Sequence, residues 1–355
     1  MILGAESGKS VGMKYFTGSF VFTFFGLIAS YFVGHYYGGT VGAGLQALFI
    51  ATILAILEIS LSFDNAIVNA VVLKEMTPVW RHRFLTWGML IAVFGMRLVF
   101  PLLIVTFMAD VNPWEALVIA ATKPDDYAKM MLDAHLQVAA FGGSFLLMVA
   151  LKYFYDGSKD LHWIPFIEKP TRYIGSKVEA IEVCLSLIIL ILITNFLKQE
   201  EALPFLMAGM AGLITYVIVD GIGSWLEASD DQIKDVHKAS AGMFLYLEVL
   251  DASFSFDGVV GAFAITHNLF IIMIGLSIGA FFVRSLTIMF VEKEALTKFA
   301  FLEHGAFYAI GLLAMIMLAD PFLHIPEWFT GLSGGIIILT SFLWSLKKGN
   351  IEASH

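Results

Sequence analysis

Long apolar stretches separated by short polar segments recur along the whole chain. A helix that crosses about 30 Å of hydrocarbon needs about 20 predominantly apolar residues. The ten stretches of roughly this length cover residues 14–34, 45–73, 84–108, 136–155, 178–197, 203–226, 240–266, 269–290, 302–319 and 332–347. This pattern predicts an all-α polytopic membrane protein with about ten transmembrane helices.

The composition agrees with a protein whose main solvent is lipid. Of the 355 residues, 59% are hydrophobic and 14% are charged, and the mean hydropathy is +0.82, whereas a soluble domain is about 45–50% apolar and about 25% charged. The single cysteine, Cys184, excludes an internal disulfide framework. No basic stripe indicates a nucleic-acid partner. The predicted surrounding is the lipid bilayer, and nothing in the sequence identifies a protein partner.

The distribution of basic residues predicts which side of the membrane each loop faces. Cytoplasmic loops of membrane proteins carry an excess of Lys and Arg. With ten helices and cytoplasmic termini, three of the 21 basic residues lie outside (Lys123, Lys129 and Lys198), two lie within predicted helices (Arg97 and Arg284), and the other sixteen are cytoplasmic. The sequence therefore predicts a protein of the cytoplasmic (inner) membrane with both termini in the cytoplasm.

One short segment occurs twice in the chain. Leu-Glu-Ile-Ser-Leu-Ser-Phe-Asp-Asn at 57–65 aligns without a gap with Leu-Asp-Ala-Ser-Phe-Ser-Phe-Asp-Gly at 250–258, and six positions are identical or exchange one carboxylate for another. An arginine follows each copy at a similar distance. Five helices per half is an odd number, so the two halves, 1–200 and 201–355, are predicted to be inverted repeats. Transporters built in this way bind their substrate near the membrane midplane.

Polar residues in and beside the repeated segments are the candidate metal ligands. The predicted positions are Glu58, Asp64, Asn65, Glu248, Asp251 and Asp257. An acidic residue or an arginine at a helix centre costs about 2.5–3.5 kcal/mol, so these groups need a partner, water or a bound ion. Five carboxylates set against the two arginines leave an excess of three negative charges if all are ionised. That excess favours a cation as the ligand.

The spacing of the acidic residues predicts a break in each of the two helices. In both copies the acidic residues of the segment are six apart, which turns a regular helix by about 240°. Ser62, Asn65, Ser255 and Gly258 supply hydroxyl and amide groups and backbone freedom for an unwound turn. Oxygen ligands suit Mg²⁺, Ca²⁺ or Mn²⁺, and the segment lacks the Cys and His that would favour Zn²⁺ or Cu⁺.

The membrane carboxylate, the Ser-Phe-Asp segment and the following arginine-bearing helix together resemble the TerC family of the LysE transporter superfamily. The duplicated form with Glu303-His304-Gly305 near the start of the ninth helix is similar to a TerC-related subfamily of integral membrane proteins without an assigned function. TerC relatives are implicated in tellurite resistance and Mn²⁺ export. The resemblance therefore implies metal efflux, with ligand positions at Glu58, Asp64, Asn65, Asp251 and Asp257. Gly258 departs from the pattern, and Glu248 is the candidate replacement for the missing amide.

The predicted function is secondary transport, in which a divalent cation, Mn²⁺ or Ca²⁺, is exported in exchange for protons. The chain has no Gly-Lys-Ser/Thr phosphate loop to power transport with a nucleotide, and neither an enzymatic activity nor a tightly bound cofactor is predicted. Two alternatives stay open. An intramembrane aspartyl hydrolase would use two aspartates that share a proton, and an exporter of small organic solutes would need an aromatic-lined cavity larger than an ion.

The charged residues also allow a purely structural interpretation. In that interpretation the acids and arginines form an ion-pair network that ties helices together. Arg97 and Arg284 are predicted to neutralise and orient carboxylates, because an arginine would repel a cation that it touched. The roles of Asp220, Glu303 and His304 stay open between a proton path and a paired structural charge.

Overall fold

The computed structural model describes residues 8–227, 232–323 and 325–352. Within these residues the only regular elements are helices. The first half contains α1 Gly8–Gly38, α2 Val41–Leu61, α3 Phe63–Glu75, α4 Pro78–Arg83, α5 Phe100–Ala109, α6 Pro113–Thr122, α7 Pro124–Asp133, α8 His135–Tyr155, α9 Pro165–Gly175 and α10 Ile181–Asn195. Between α4 and α5 the chain is π-helical at Phe84–Gly88 and Ile91–Val99.

The second half is built from longer helices. It contains α11 Gln199–Glu227, α12 Gln232–Ile265, α13 Leu269–Glu292, α14 Ala295–Lys298, α15 Leu302–Ala319 and α16 Glu327–Glu352. Most of these helices match one predicted apolar stretch each. The predicted stretch 302–319 coincides with α15.

Eight segments of the described chain are long and apolar enough to cross a membrane. They are Lys14–Gly38, Val41–Leu61, Pro78–Phe107, His135–Tyr155, Gln199–Ile222, Leu269–Glu292, Leu302–Ala319 and Phe329–Lys347. The protein is therefore an all-α integral membrane protein. Two of the ten predicted spans do not qualify: 178–197 forms only the 15-residue α10, which is about 22 Å long, and 240–266 lies in α12, whose apolar stretch contains three acidic residues.

Large apolar side chains cover the outside of the molecule. Phe24, Phe32, Phe49 and Trp87 each expose more than half of their surface. A soluble protein rarely exposes such extended apolar surfaces, whereas lipid contact favours them. The outer faces of these helices therefore fit a hydrocarbon environment.

Helices from the two sequence halves pack directly on one another. The helix α2 packs on α1 and α13, and α8 packs on α11 and α15. One buried cluster contains Val68 and Phe145 from the first half together with Leu213 and Ile310 from the second. The predicted boundary at residue 200 and the inverted arrangement of the repeats stay predictions.

Candidate functional site

The first repeated segment contains a helix break at Ser62. The helix α2 ends at Leu61 and α3 begins at Phe63, so a break lies where the spacing predicted one, but it is limited to one residue and does not unwind a full turn. The backbone N–H of Ser62 donates to the carbonyl of Glu58 at 3.0 Å. The break places Asp64 in the first turn of α3, where one of its carboxylate oxygens accepts the backbone N–H of Asn65 at 2.9 Å. An acid in this position also benefits from the helix dipole.

The second repeated segment does not break, and the prediction for this copy is wrong. The helix α12 runs without interruption through residues 250–258. The hydroxyl of Ser253 donates to the carbonyl of Val249 at 3.0 Å, which satisfies the side chain within a regular helix. The side chain of Asp257, a predicted ligand, lies outside the described part of the structure.

A cavity of about 50 Å³ lies where α2, α3, the π-helical region, α12 and α13 meet. Most of the polar residues singled out from the sequence line it. They are Glu58, Ser62, Asn65, Arg97, Asp251, Ser255 and Arg284. Two further polar residues, Asn69 and Thr287, complete the polar lining. The fold therefore brings together carboxylates, amides and hydroxyls from both repeated segments.

Glu58 is buried and forms an ion pair with Arg97. Only 3% of its surface is exposed, and the guanidinium of Arg97 donates to Oε1 of Glu58. Arg97 also donates to the carbonyl of Ala92 within the π-helical segment, and Ser62 donates its hydroxyl to Glu58 Oε1 at 3.3 Å. Arg97 therefore both neutralises and orients Glu58. Such π-helical turns are rare and frequently occur at functional sites.

Asp251 contacts an amide that the sequence analysis missed. Asn69 donates from Nδ2 to Asp251 Oδ1 at 3.0 Å. Asn69 follows Asn65 by four residues on α3, and residues four apart share one face of a helix. An amide four residues after Asn65 is the feature of the sequence that could have identified Asn69. Asn69 lies outside the repeated segment, so the repeat does not point to it.

Five polar atoms of residues that line this cavity have no hydrogen-bond partner among the described residues. Two are the Nε donors of Arg97 and Arg284, and three are oxygens of buried residues, namely Oδ1 of Asn65, Oδ1 of Asn69 and Oγ of Ser255. A buried acceptor without a partner is costly. Together with the carboxylate of Asp251, these three oxygens form a set of acceptors that a cation could satisfy.

The remaining predicted ligands lie elsewhere. Asp64 lines a second cavity of about 30 Å³, which it shares with Glu58 and Ser62. Glu248 lines a third, largely apolar cavity beside Met96 and Phe100, so Glu248 does not replace the missing amide in the lining of the first cavity. In the described part of the chain, no three His, Cys, Asp or Glu residues form a ready metal cluster.

One protein-family model matches most of the chain. Residues 63–352 match the family described as "Protein of unknown function (DUF475)". The chain belongs to the DUF475 family. The matched region of this DUF475 protein includes Asp64, Asn65, Arg97 and Asp251, and it begins directly after the break at Ser62. No curated protein and no solved structure matches the chain, and the resemblance to TerC stays a prediction.

A second polar cluster of the DUF475 protein is centred on Glu168 of α9, a residue outside the membrane spans that the sequence analysis did not single out. Glu168 is buried, and its carboxylate accepts the backbone N–H groups of Trp163 and Ile164. Nε2 of His304 lies 3.3 Å from Glu168 and 2.9 Å from the carbonyl of Leu161. The cluster therefore ties the segment after α8 to the start of α15.

The cluster also determines the charge of Glu168. Burial alone would raise the pKa of this carboxyl, but the hydrogen bonds from His304 and Ile164 and the positive charges of His304 and Lys159 lower its pKa to about 2. Glu168 is thus ionised over the physiological range.

Asp220, whose role the sequence leaves open, lies 3.9 Å from the ammonium of Lys152.

Proposed function

We propose that the protein is a secondary transporter that exports a divalent metal cation, Mn²⁺ or Ca²⁺, through the first cavity. The observation that carries the proposal is the set of buried oxygen acceptors around Asp251, namely Asn65, Asn69 and Ser255. Buried polar atoms without partners are normally satisfied by water, an ion or a ligand. Carboxylate, amide and hydroxyl oxygens are the ligands that hard divalent cations prefer.

The charges in the walls of the first and second cavities favour a cation over an anion. Three carboxylates, those of Glu58, Asp64 and Asp251, line these two cavities, together with two arginines, Arg97 and Arg284, that line the first. The carboxylates exceed the arginines by one, so these walls carry an excess of one negative charge when all of the groups are ionised. Protons could occupy the same carboxylates after the ion leaves, because an isolated charge in the membrane is costly. This alternation is the basis of the proposed exchange of metal for protons.

The proposed direction is from the cytoplasm outward, across the cytoplasmic membrane, with both termini cytoplasmic. The orientation follows from the distribution of Lys and Arg, and the direction of transport rests on the resemblance to TerC. The lining of the first cavity contains neither Cys nor His, which favours Mn²⁺ and Ca²⁺ over Zn²⁺ and Cu⁺.

Flux measurements on the purified protein test the proposal. Proteoliposomes would be loaded with Mn²⁺, Ca²⁺ or Mg²⁺ in parallel, together with a pH-sensitive dye that reports counter-transported protons. We expect flux of at least one ion by the wild type and its loss in Asp251→Asn. Asp126→Asn, an exposed acid on α7, is the matched control and should leave flux unchanged. Equal flux by wild type and Asp251→Asn would overturn the site assignment.

One observation favours the export of a small organic solute as a second candidate. A cavity of about 390 Å³ between α8, α11, α12 and α15 is lined by Tyr153, Tyr216 and Tyr246, with Lys152 and Asp220 also in its wall. Sites for small molecules typically measure about 300–1,000 Å³. Proteoliposomes loaded with radiolabelled amino acids would test this candidate. It would replace the metal proposal if solute flux occurs, metal flux does not, and Tyr246→Ala abolishes the solute flux.

A further inference from the structure

Glu58 belongs to two cavities at once. The second cavity, of about 30 Å³, is lined by Glu58, Ser62, Asp64, Thr330 and several glycines, among them Gly258 and the glycines of α16. Glu58 and Ser62 also line the first cavity. A water molecule needs about 10–15 Å³ by this type of measure, so the second cavity has space for an ion with a water ligand.

The two carboxylate oxygens of Glu58 face different neighbours. Oε1 accepts hydrogen bonds from Arg97, which lines the first cavity and not the second, and from Ser62, which lines both. Oε2 lies 3.1 Å from the position that a Cβ atom on Gly258 would occupy, and Gly258 lines the second cavity and not the first. The carboxylate therefore connects the two spaces.

The electrostatics of the two cavities differ. The first cavity has two carboxylates and two arginines in its wall. The second has the carboxylates of Glu58 and Asp64 and, among the residues that the structure describes, no basic residue in its wall. Asp64 is 6% exposed, and among the described residues its hydrogen-bond donor is the backbone N–H of Asn65. A buried carboxylate without a counter-charge is strongly unfavourable, and a cation in this cavity would remove that cost.

We infer that the second cavity is a separate cation-binding position, with Asp64 and Glu58 as its carboxylate ligands. Glu58 is the ligand that the two cavities share. When no cation is bound, Arg97 neutralises Glu58; when a cation reaches the second cavity, Glu58 contributes Oε2 to it. The inference rests on the proposed transport function for the choice of a divalent cation as the ligand.

Mn²⁺ binding to the purified full-length protein tests the inference, with the free ion followed by electron paramagnetic resonance. Two variants probe the second cavity by different means: Asp64→Asn removes a ligand, and Gly334→Ala places a methyl group beside that ligand. A Cβ at Gly334 would lie 3.9 Å from Oδ2 of Asp64 and 3.8 Å from Cβ of Ala309, so the methyl group fits and takes up space next to the carboxylate. We expect each variant to weaken one class of Mn²⁺ site at least about tenfold, whereas Asp251→Asn leaves that class in place.

Asp126→Asn is the control for a general loss of negative charge, and circular dichroism with size-exclusion chromatography checks that each variant is folded. Wild-type Mn²⁺ binding in both Asp64→Asn and Gly334→Ala would overturn the inference, as would a wild type that binds no Mn²⁺. The proposed transport can fail separately. Absence of Mn²⁺ flux, with binding that still depends on Asp64, would overturn transport and leave the second binding position standing.

Discussion

At the scale of single residues, the position of Glu58 depends on a glycine in the helix that faces it. Gly279 of α13 faces Glu58 so closely that an added Cβ atom would lie 2.4 Å from both Cβ and Cγ of Glu58 and 3.1 Å from the carbonyl oxygen of Ala55. Small residues permit this close approach of membrane helices. The glycine is therefore a condition for placing a buried carboxylate between α2 and α13.

Gly279→Ala is expected to destabilise the protein by about 1–3 kcal/mol, the usual range for overpacking a core. The backbone carbonyl of Ala55 cannot move away without shifting α2. The loss would be measured as a lower unfolding temperature in detergent. Gly18→Ala is the control, because an added Cβ at Gly18 meets no atom within 4 Å. An unchanged unfolding temperature in Gly279→Ala would contradict the close packing of Glu58.

A second residue-scale prediction concerns Glu168 and pH. Its pKa is lowered from 4.5 to about 2 in the folded protein, so the ionised carboxylate contributes stability above pH 4.5, and this contribution is lost as the pH falls through 2. Glu168→Gln should therefore lower the unfolding temperature at pH 7 and have little effect near pH 2. Thermal unfolding of both proteins across this range checks the prediction. A difference in unfolding temperature that is the same at every pH would show that the substitution acts through packing and not through the charge of Glu168.

At the scale of helices, the Glu58–Arg97 ion pair connects α2 to the π-helical region. Both side chains are almost completely buried. Removing one partner of a buried pair commonly costs about 3–5 kcal/mol, whereas replacing both with neutral groups costs much less. Arg97→Ala should therefore impair folding in the membrane more than the double variant Glu58→Gln with Arg97→Gln. Folded yield after detergent extraction measures this, and an equal yield from the two would exclude charge imbalance as the cause.

The break in the first repeated segment could be predicted because polar residues and acid spacing act locally on the helix. The corresponding prediction failed in α12, where Ser253 is satisfied by the carbonyl of Val249. The sequence around Gly258 could not show why a glycine is needed there. The side chain that an added Cβ would crowd is that of Glu58, which lies on another helix. Asn69 was missed for the same reason, since its role depends on Asp251, 182 residues away.

At the scale of the whole molecule, the repeat in sequence does not produce two equivalent ligand sets. The position occupied by Asn65 in the first segment is Gly258 in the second, and the glycine accommodates Glu58 instead of supplying a ligand. The two segments therefore contribute different parts of one central region. The composition predicted the membrane environment, but only the packing of α2, α3, α12 and α13 shows how the polar residues divide between two cavities.

The orientation of the molecule in the membrane can be tested at the two ends of α8. The helix α8 is 21 residues long, or about 31 Å, and it separates Asp126 on α7 from Ser158 in the segment that follows α8. The distribution of Lys and Arg predicts that Ser158 is cytoplasmic and Asp126 is external. Both residues are exposed, so each can be replaced with cysteine in a Cys184→Ser background without loss of a buried contact.

In intact cells, a membrane-impermeant maleimide should label Asp126→Cys, and it should label Ser158→Cys only after the membrane is permeabilised. The reverse pattern would place the termini outside and contradict the proposed orientation, while the cavities themselves would be unaffected. Labelling of both positions in intact cells would mean that α8 does not cross the membrane. Because α8 packs on both α11 and α15, that result would also require a different assignment of spans throughout the second half.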